Sequence, residues 1–158
     1  MKAFHKHTIS RRIISTFLLV MLLASAMCVS ASAANTTDKE YYNSYISAGT
    51  WHTTNAYYKE NSSKVYVYPK TSPTYYTRVQ TWCYDKTTGN ASNKTGASTV
   101  YLPKNTKCVI TNYVYENGQY TTGYGVLMWL KMTPNSGTGS LYGYWSPDWS
   151  GSGSVSYF

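Results

Sequence analysis

Side chains that could exchange protons or bind a metal are scarce after position 33. His52 is the one histidine in that part of the chain, and Cys83 and Cys108 are its thiols, beside six carboxylates. A zinc site needs three or four nitrogen, sulfur or carboxylate ligands close together, and a catalytic serine needs a context such as Gly-x-Ser-x-Gly. The sequence contains neither pattern. It therefore predicts no catalytic residue, no metal and no cofactor, and a hydrolase that uses His52 with a carboxylate is the remaining enzymatic alternative.

Aromatic side chains are abundant instead, with 18 Tyr and 5 Trp in 158 residues. Tyr and Trp combine a large apolar ring with a polar tip, so they are common on surfaces that bind other molecules. Tyr76, Arg78, Gln80 and Trp82 alternate along one run, which puts all four on one face of a strand. We predict that this face is a ligand-binding site. The alternative is that its rings only pack in the cross-strand pairs of a Tyr-rich sheet.

The first 33 residues have the three parts of a secretion signal. Four basic residues within positions 1–12 precede an apolar run at 13–29, and Ala31, Ser32 and Ala33 are the small residues that a signal peptidase accepts. A membrane anchor is the alternative, but Ser and Thr interrupt the run, which is shorter than the roughly 20 residues of a bilayer span. We expect a helical signal that is removed, and therefore a secreted protein, extracellular or associated with the cell surface.

Charge narrows the choice of partner for the remaining 125 residues. They carry 10 basic and 6 acidic residues, and the lysines are scattered singly instead of forming a stripe. Scattered charge argues against nucleic acid, whereas a mild positive excess fits an anionic bacterial envelope. We predict cell-wall glycan or teichoic acid as the partner, and no integral membrane span in the mature chain. The sequence leaves the oligomeric state open.

Cys83 and Cys108 form an even pair of cysteines in a chain that we expect to be exported. Such a pair predicts one disulfide, which would close a loop of about 25 residues and stabilise the fold by roughly 3.5 kcal/mol in the chain-entropy model. Two buried free thiols are the alternative. A catalytic cysteine is not expected, because no nucleophile motif surrounds either thiol.

The elements that must position these residues are strands. β-Branched and aromatic residues dominate short runs at 64–68, 74–84, 99–102, 107–115, 120–132 and 141–145. The segment 116–119 (Glu-Asn-Gly-Gln) is typical of a hairpin turn, because Asn-Gly tolerates a positive φ, and 124–130 is apolar on both faces, as in a central strand. We predict an all-β fold, a single antiparallel sandwich or small barrel of six to eight strands.

The chain shows no linker and no internal repeat. We predict a signal peptide at 1–33, an N-terminal segment with one or two strands at 34–59 and a β-sandwich core at 60–149. A flexible C-terminal tail, rich in Gly and Ser, follows at 150–158.

Three motifs resemble a family of small exported Gram-positive proteins that is grouped only as a domain of unknown function. They are Val-Tyr-Val-Tyr-Pro at 65–69, Thr-Asn-Tyr-Val-Tyr-Glu at 111–116 and Gly-Tyr-Trp-Ser-Pro-Asp at 143–148. This resemblance covers roughly residues 60–149 and implies an exported β-sandwich without known catalysis. A weaker likeness to lactococcin 972-type bacteriocins rests on Gly-Thr-Trp-His at 49–52 and on the aromatic end at 156–158. Those bacteriocins are smaller, and their histidine-rich middle is missing here.

Together these observations predict an exported, non-enzymatic binding protein that acts at a bacterial cell envelope. The alternative is a bacteriocin-like antimicrobial protein that targets the cell-wall synthesis or the membranes of neighbouring bacteria.

Overall fold

The computed structural model describes residues 36–151 and 153–158, so the predicted signal peptide at 1–33 lies outside the described residues. Strands dominate the described part, which confirms the predicted all-β class. They number twelve instead of six to eight because several have only two or three residues. The elements are β1 (Lys39–Ser47), β2 (His52–Thr53), β3 (Tyr57–Lys59), β4 (Val65–Thr71), β5 (Tyr76–Tyr84), β6 (Ala91–Asn93), β7 (Val100–Pro103), β8 (Cys108–Ile110), α1 (Val114–Asn117), β9 (Tyr120–Thr121), β10 (Gly125–Pro134), β11 (Thr138–Ser146) and β12 (Ser156–Tyr157).

The strands form two sheets. The five-stranded sheet has the order β1-β11-β4-β8-β12. The seven-stranded sheet has the path β2-β10-β5-β6, with β3 and β9 also paired to β10 and β7 also paired to β5. Every strand pair among the described residues is antiparallel except β8 with β12. Both sheets contribute to one apolar core, so the architecture is a β-sandwich, as predicted.

Alternation with a period of two builds this core. The pleat turns successive side chains of a strand to opposite faces, so every second residue of a long strand is buried. The inner side of β5 consists of Thr77, Val79, Thr81 and Cys83. Met128 and Leu130 of β10 meet Val67 and Trp145 of the other sheet in the same cluster. Full burial of an apolar side chain of this size stabilises the fold by about 1.5–3 kcal/mol.

The predicted disulfide is wrong, because Cys83 and Cys108 are free thiols. Cys83 lies on β5 in the seven-stranded sheet, whereas Cys108 lies on β8 in the five-stranded sheet. Each cysteine is fully buried and lies opposite a residue of its own sheet, Cys83 opposite Met128 and Cys108 opposite Val67. Burial raises the pKa of Cys83 to about 11 and that of Cys108 to about 12. Both thiols therefore stay protonated at neutral pH and act as small core residues.

A short helix replaces the predicted hairpin turn at 116–119. The predicted strand at 107–115 ends early, at Ile110, and α1 covers Val114–Asn117. Gly118 has a φ of −82°, and its N–H donates to the carbonyl oxygen of Val114 at 2.7 Å. A Cβ on Gly118 would overlap the side chain of Val126. Glycine is therefore required for the close approach of this segment to β10, not for the positive φ of an Asn-Gly turn.

The segments on either side of the predicted core at 60–149 take part in the sheets. β1 pairs along β11, and β2 and β3 both pair with β10. Within the predicted tail at 150–158, β12 runs parallel to β8. The N–H of Ser156 donates to the carbonyl oxygen of Lys107 at 2.9 Å, and the N–H of Phe158 donates to that of Val109 at 3.0 Å. The end of the predicted tail is thus an edge strand of the five-stranded sheet.

Candidate functional site

The four predicted ligand-binding residues lie together on the outer side of β5. Burial alternates along this strand without interruption, so Tyr76, Arg78, Gln80 and Trp82 face away from the core. Tyr76 is exposed, and the other three side chains are half-buried. The structure therefore brings all four residues onto one surface, as the alternation in the sequence predicts.

Neighbouring strands widen this row into a surface. Trp82 lies opposite Trp129 of β10, and Gln80 lies opposite Lys131 of the same strand. Opposite residues of an antiparallel pair project from the same face of the sheet. We call this surface the outer aromatic face; it consists of Trp51, Tyr76, Arg78, Gln80, Trp82, Tyr84, Tyr101, Trp129 and Lys131.

Gln80 holds the indole of Trp82 in one orientation. The Nε1–H of Trp82 donates to Oε1 of Gln80 at 2.9 Å, and Nε2 of Gln80 donates to Oγ1 of Thr99 at 2.7 Å. These bonds satisfy the polar tips of both side chains. A ring that is fixed before a ligand arrives loses less conformational entropy on binding, so this network favours recognition.

Two cations lie over rings of the outer aromatic face. The Nζ of Lys131 is 3.7 Å from the centroid of the Trp82 ring, and the Cζ of Arg78 is 5.4 Å from that of Trp51. Contacts of this kind contribute about 0.5–1 kcal/mol at exposed sites. Neither cation makes a hydrogen bond or an ion pair with another described residue, and the buried Nε of Arg78 has no acceptor there. Both side chains therefore keep donors for a ligand.

The outer aromatic face has a net positive charge, because it contains Arg78 and Lys131 and none of its residues is Asp or Glu. Asp85 follows the end of β5, where it forms an ion pair with Lys94 and accepts two backbone N–H groups of the next turn. The hydrogen bond from Lys94 is the main reason that the pKa of Asp85 lies well below its usual range. The charge of Asp85 is thus balanced locally, and it does not compensate Arg78 or Lys131.

His52, the catalytic candidate of the hydrolase alternative, lies outside the outer aromatic face. Its Nδ1 is 3.3 Å from Nδ2 of Asn43, and its ring lines a cavity of about 130 Å³. Burial lowers the pKa of His52, so the ring is neutral at pH 7. Among the described residues that line this cavity, Glu40 is the sole carboxylate, and it accepts a hydrogen bond from the Tyr142 hydroxyl at 3.2 Å.

A buried polar cluster around Lys59 and Asp148 is absent from the sequence-based predictions. Nζ of Lys59 is 3.1 Å from Oδ1 of Asp148 and 2.7 Å from the carbonyl oxygen of Pro147, and neither charged side chain is exposed. Asp148 also accepts the N–H of Glu60 at 2.9 Å and the hydroxyl of Ser63 at 3.2 Å. Desolvation lowers the pKa of Lys59, and Asp148 opposes that shift. The Trp-Ser-Pro-Asp motif therefore ties the segment after β11 to the loop after β3.

A small cavity of about 200 Å³ adjoins this cluster. Tyr66 and Trp149 form part of its wall and stack on each other, with ring centroids 5.5 Å apart. Asp38 also lines it, but its Oδ1 already accepts the hydroxyl of Ser146 at 3.0 Å. Sites for small molecules usually measure about 300–1,000 Å³. The cavity is smaller than that range, and the outer aromatic face remains the stronger candidate site.

Metal ligands and membrane-spanning helices are two features against which the sequence of the mature chain argues. Within residues 36–151 and 153–158, no group of three or more His, Cys, Asp or Glu side chains could hold a metal ion. In the same part of the chain, no helix combines the length and the apolar composition that crossing a membrane requires.

Five residues of the outer aromatic face lie outside the four predicted ones: Trp51, Tyr84, Tyr101, Trp129 and Lys131. The prediction that 124–130 is apolar on both faces hides an alternation, in which Trp129 and Lys131 are only half-buried and face outward. That alternation was the available signal. Trp51 gave no such signal, because its contact with Arg78 depends on how β2 pairs with β10.

The fold and this surface define a class, an all-β sandwich with an aromatic and basic outer sheet. Residues 29–149 match the family described as Protein of unknown function (DUF2712), and the chain belongs to that family. No curated protein and no solved structure matches the chain. The resemblance to a domain family of unknown function is therefore confirmed, whereas the likeness to lactococcin 972-type bacteriocins stays a prediction.

Proposed function

We propose that this protein is exported and binds a surface polymer of a bacterial cell envelope without catalysing a reaction on it. The outer aromatic face carries the proposal, because it gathers aromatic rings and uncompensated cations on one side of a sheet. Cell-wall glycan and teichoic acid are the candidate polymers. An anionic envelope would attract such a face electrostatically.

Accessible tyrosine rings support binding through this face. Tyr76, Tyr84 and Tyr101 are 42%, 46% and 48% exposed, so each retains open ring surface. A sugar ring can stack its C–H side on an aromatic ring, while the tyrosine hydroxyl bonds to polar groups at its edge. Tyr84 makes an edge-to-face contact with Trp129, with 5.3 Å between the ring centroids. Trp129 lies opposite Trp82, so the exposed Tyr84 ring is continuous with the tryptophan rings of the face.

The dimensions of the face suit a polymer better than a small molecule. Tyr76 and Tyr84 are eight residues apart on one strand, which corresponds to about 26 Å. A small molecule is usually held in a concave pocket that covers most of its surface. An extended chain can instead contact several rings along an open sheet, and many weak contacts then add up to useful affinity.

The state of the titratable groups supports binding without catalysis. Asp148 and Asp85 each form an ion pair with a lysine, and His52 pairs with the buried Met132 and not with a residue of the outer aromatic face. A general acid or base must reach the substrate and exchange protons near neutral pH. The outer aromatic face itself contains no His, Asp, Glu or Cys.

A retention experiment tests the binding proposal. We expect the purified exported protein to be retained on peptidoglycan, on immobilised teichoic acid or on intact Gram-positive cells. Trp82→Ala should lower that retention several-fold. Tyr142→Ala is the matched control, because Tyr142 is a half-buried ring on the outer side of the other sheet. No retention of the wild type on any target, or equal retention of both variants, would contradict the proposal.

Export needs its own test. The full sequence is expressed in a Gram-positive host, and the protein is recovered from the medium, from the cell surface and from the cytoplasm. We expect the protein in the first two fractions, with Ala34 as its first residue. Recovery in the cytoplasm with Met1 still attached would contradict this part of the proposal.

One contact favours the bacteriocin-like alternative. Trp51 belongs to the Gly-Thr-Trp-His segment that resembles the bacteriocins, and it packs against Arg78 on the outer aromatic face. An antimicrobial protein would then use the same face on neighbouring cells. A growth-inhibition zone around purified protein that disappears with Trp51→Ala would support this alternative. Retention on cell walls without any such zone would support binding alone.

A further inference from the structure

We infer that the polymer bound by the outer aromatic face carries phosphate: a chain of phosphodiester-linked polyol or sugar units, as in a teichoic acid, and not an uncharged glycan. The inference rests on the proposed function and specifies the ligand of the same face. Its basis is the pair of cations, Arg78 and Lys131, that lie on one carboxylate-free surface without an anionic partner among the described residues.

Arg78 provides the more specific anion contact. Its guanidinium has five N–H donors in a planar fork that matches two oxygens of one phosphate. The fork lies 5.4 Å from the Trp51 ring, and its buried Nε has no acceptor among the described residues. The sheet therefore fixes the position of a guanidinium but offers it no internal acceptor. An anion from outside can bond to the Nη groups at the end of the fork, which have no partner among the described residues, whereas the buried Nε is out of its reach.

Lys131 places a second cation diagonally across from Arg78. Lys131 pairs with Gln80, and Arg78 is two residues from Gln80 on β5. Diagonal neighbours of this kind are about 7–8 Å apart at the backbone. Adjacent phosphates of a polyol phosphate chain are joined by one short polyol and have a comparable spacing. A single chain can therefore present one phosphate to each cation while its polyol or sugar units contact Trp82 and the neighbouring rings.

Two other occupants fit this surface less well. An uncharged glycan could stack on the rings, but it would leave the guanidinium of Arg78 and the ammonium of Lys131 without a counter-charge. An anionic membrane is typically recognised by clusters of about four to eight basic residues. The outer aromatic face has two, and both lie on strands inside a hydrogen-bonded sheet.

Isothermal titration calorimetry with three probes tests the inference. The probes are purified poly(glycerol phosphate) teichoic acid, peptidoglycan fragments stripped of teichoic acid, and phosphatidylglycerol–phosphatidylcholine vesicles. We expect the teichoic acid to bind at least about tenfold more tightly than the other two. Arg78→Ala should weaken that binding by about tenfold or more, because charge-assisted hydrogen bonds are the strong ones. Lys131→Ala should weaken it by less, and both variants should show a shallower salt dependence.

Lys70→Ala is the matched control for these variants. Lys70 also lies over rings, 5.7 Å from the centroid of Tyr142 and 5.4 Å from that of Tyr144, but it belongs to the other sheet. We expect wild-type affinity from it. Arg78→Lys retains the charge and loses the fork, so its affinity should lie between those of the wild type and Arg78→Ala. Circular dichroism and thermal unfolding show that each variant is folded before its affinity is compared.

The possible outcomes separate the inference from the proposed function. Equal affinity for teichoic acid and stripped peptidoglycan, with Arg78→Ala unchanged, overturns the inference; a loss with Trp82→Ala would still support the proposed function. Vesicle binding as tight as polymer binding overturns the inference in favour of a membrane surface. Absence of binding to all three probes, together with no retention on cells, overturns both.

Discussion

The inner and outer sides of the seven-stranded sheet differ in whether a positively charged side chain has an anionic partner. On the inner side, Lys59 has no exposed surface, and its ammonium contacts Asp148 at 3.1 Å and the carbonyl oxygen of Pro147 at 2.7 Å. On the outer side, Arg78 and Lys131 lie over tryptophan rings and have no anionic partner among the described residues. The fold satisfies the inner cation and leaves the outer two for a ligand.

Because of this difference, substitutions on the two sides should change different quantities, the free energy of unfolding and the ligand affinity. Removing one partner of a buried ion pair leaves an uncompensated charge in the interior, whereas removing a half-buried cation that has no ion pair leaves none. Substitutions on the inner side should therefore change the free energy of unfolding. Substitutions on the outer side should change ligand affinity and should lower the free energy of unfolding by less.

The largest effect is expected from Asp148→Asn, which leaves Lys59 buried without a counter-charge. We expect the free energy of unfolding to fall by about 3–5 kcal/mol, measured by urea denaturation at neutral pH. The double variant Lys59→Met/Asp148→Asn should lose less than Asp148→Asn alone, because no charge is then buried. A loss below about 1 kcal/mol in the single variant would remove the contrast between the two sides.

The buried thiols should give a smaller effect that depends on pH. An exposed thiol of the unfolded chain ionises near pH 9, whereas burial raises the pKa of Cys83 to about 11 and that of Cys108 to about 12. Between these values the folded chain holds more protons than the unfolded chain. The thiol contribution to stability is therefore complete below pH 9 and declines as the pH rises toward 11.

Denaturation at a series of alkaline pH values measures this decline. Replacing both Cys83 and Cys108 with alanine should remove the thiol part of the slope and leave the part due to other groups. A thiol reagent should label neither cysteine in the folded protein and both in urea. Rapid labelling of either thiol in the folded protein would show that the interior is more accessible than its burial indicates.

On the outer side, Gln80→Ala should change affinity without changing stability much. The substitution removes the acceptor for Trp82 Nε1 and the donor to Thr99, so the indole is no longer held in one orientation. We expect teichoic acid affinity to fall by about two- to tenfold, because the indole must then be ordered when the ligand binds. The free energy of unfolding should fall by no more than about 1.5 kcal/mol, because the two lost bonds join half-buried side chains. A fall in the free energy of unfolding of about 3 kcal/mol or more, as expected of Asp148→Asn, would give Gln80 a structural role instead.

The smallest effect is expected from Asp85→Asn. Lys94 and two backbone N–H groups hold the pKa of Asp85 well below its ordinary value of 3.8. Its contribution to stability is therefore present above pH 3.8 and is lost as the pH falls toward its folded-state pKa. Asp85→Asn should flatten that acid dependence and, at neutral pH, destabilise the protein far less than Asp148→Asn. Equal losses from the two variants would mean that burial does not distinguish the two ion pairs.

The sequence predicts features that depend on neighbouring residues better than features that depend on distant pairing. Tyr76, Arg78 and Trp82 share a face because alternation is a local property of a strand. Lys131 joins them through the register between β5 and β10, which a single sequence does not reveal. The same holds for Lys59 and Asp148, which are 89 residues apart.

Two wrong predictions have the same origin. The even number of cysteines says nothing of their positions, and the fold puts Cys83 and Cys108 in different sheets. Asn117 and Gly118 are typical of a hairpin turn when only the local sequence is considered. In the fold, however, position 118 needs glycine because a Cβ there would overlap the side chain of Val126, and not because the backbone has a positive φ. In both cases tertiary packing decided between local alternatives that the sequence allowed.

The parallel pairing of β12 with β8 has a consequence for solubility. Without β12, the carbonyl oxygens of Lys107 and Val109 and the N–H of Thr111 would lose their partners. An unpaired strand edge is a template onto which strands from other molecules can add. Proteolytic removal of residues 156–158 would therefore expose the unpaired edge of β8, and copies of the shortened chain would be prone to aggregate through that edge.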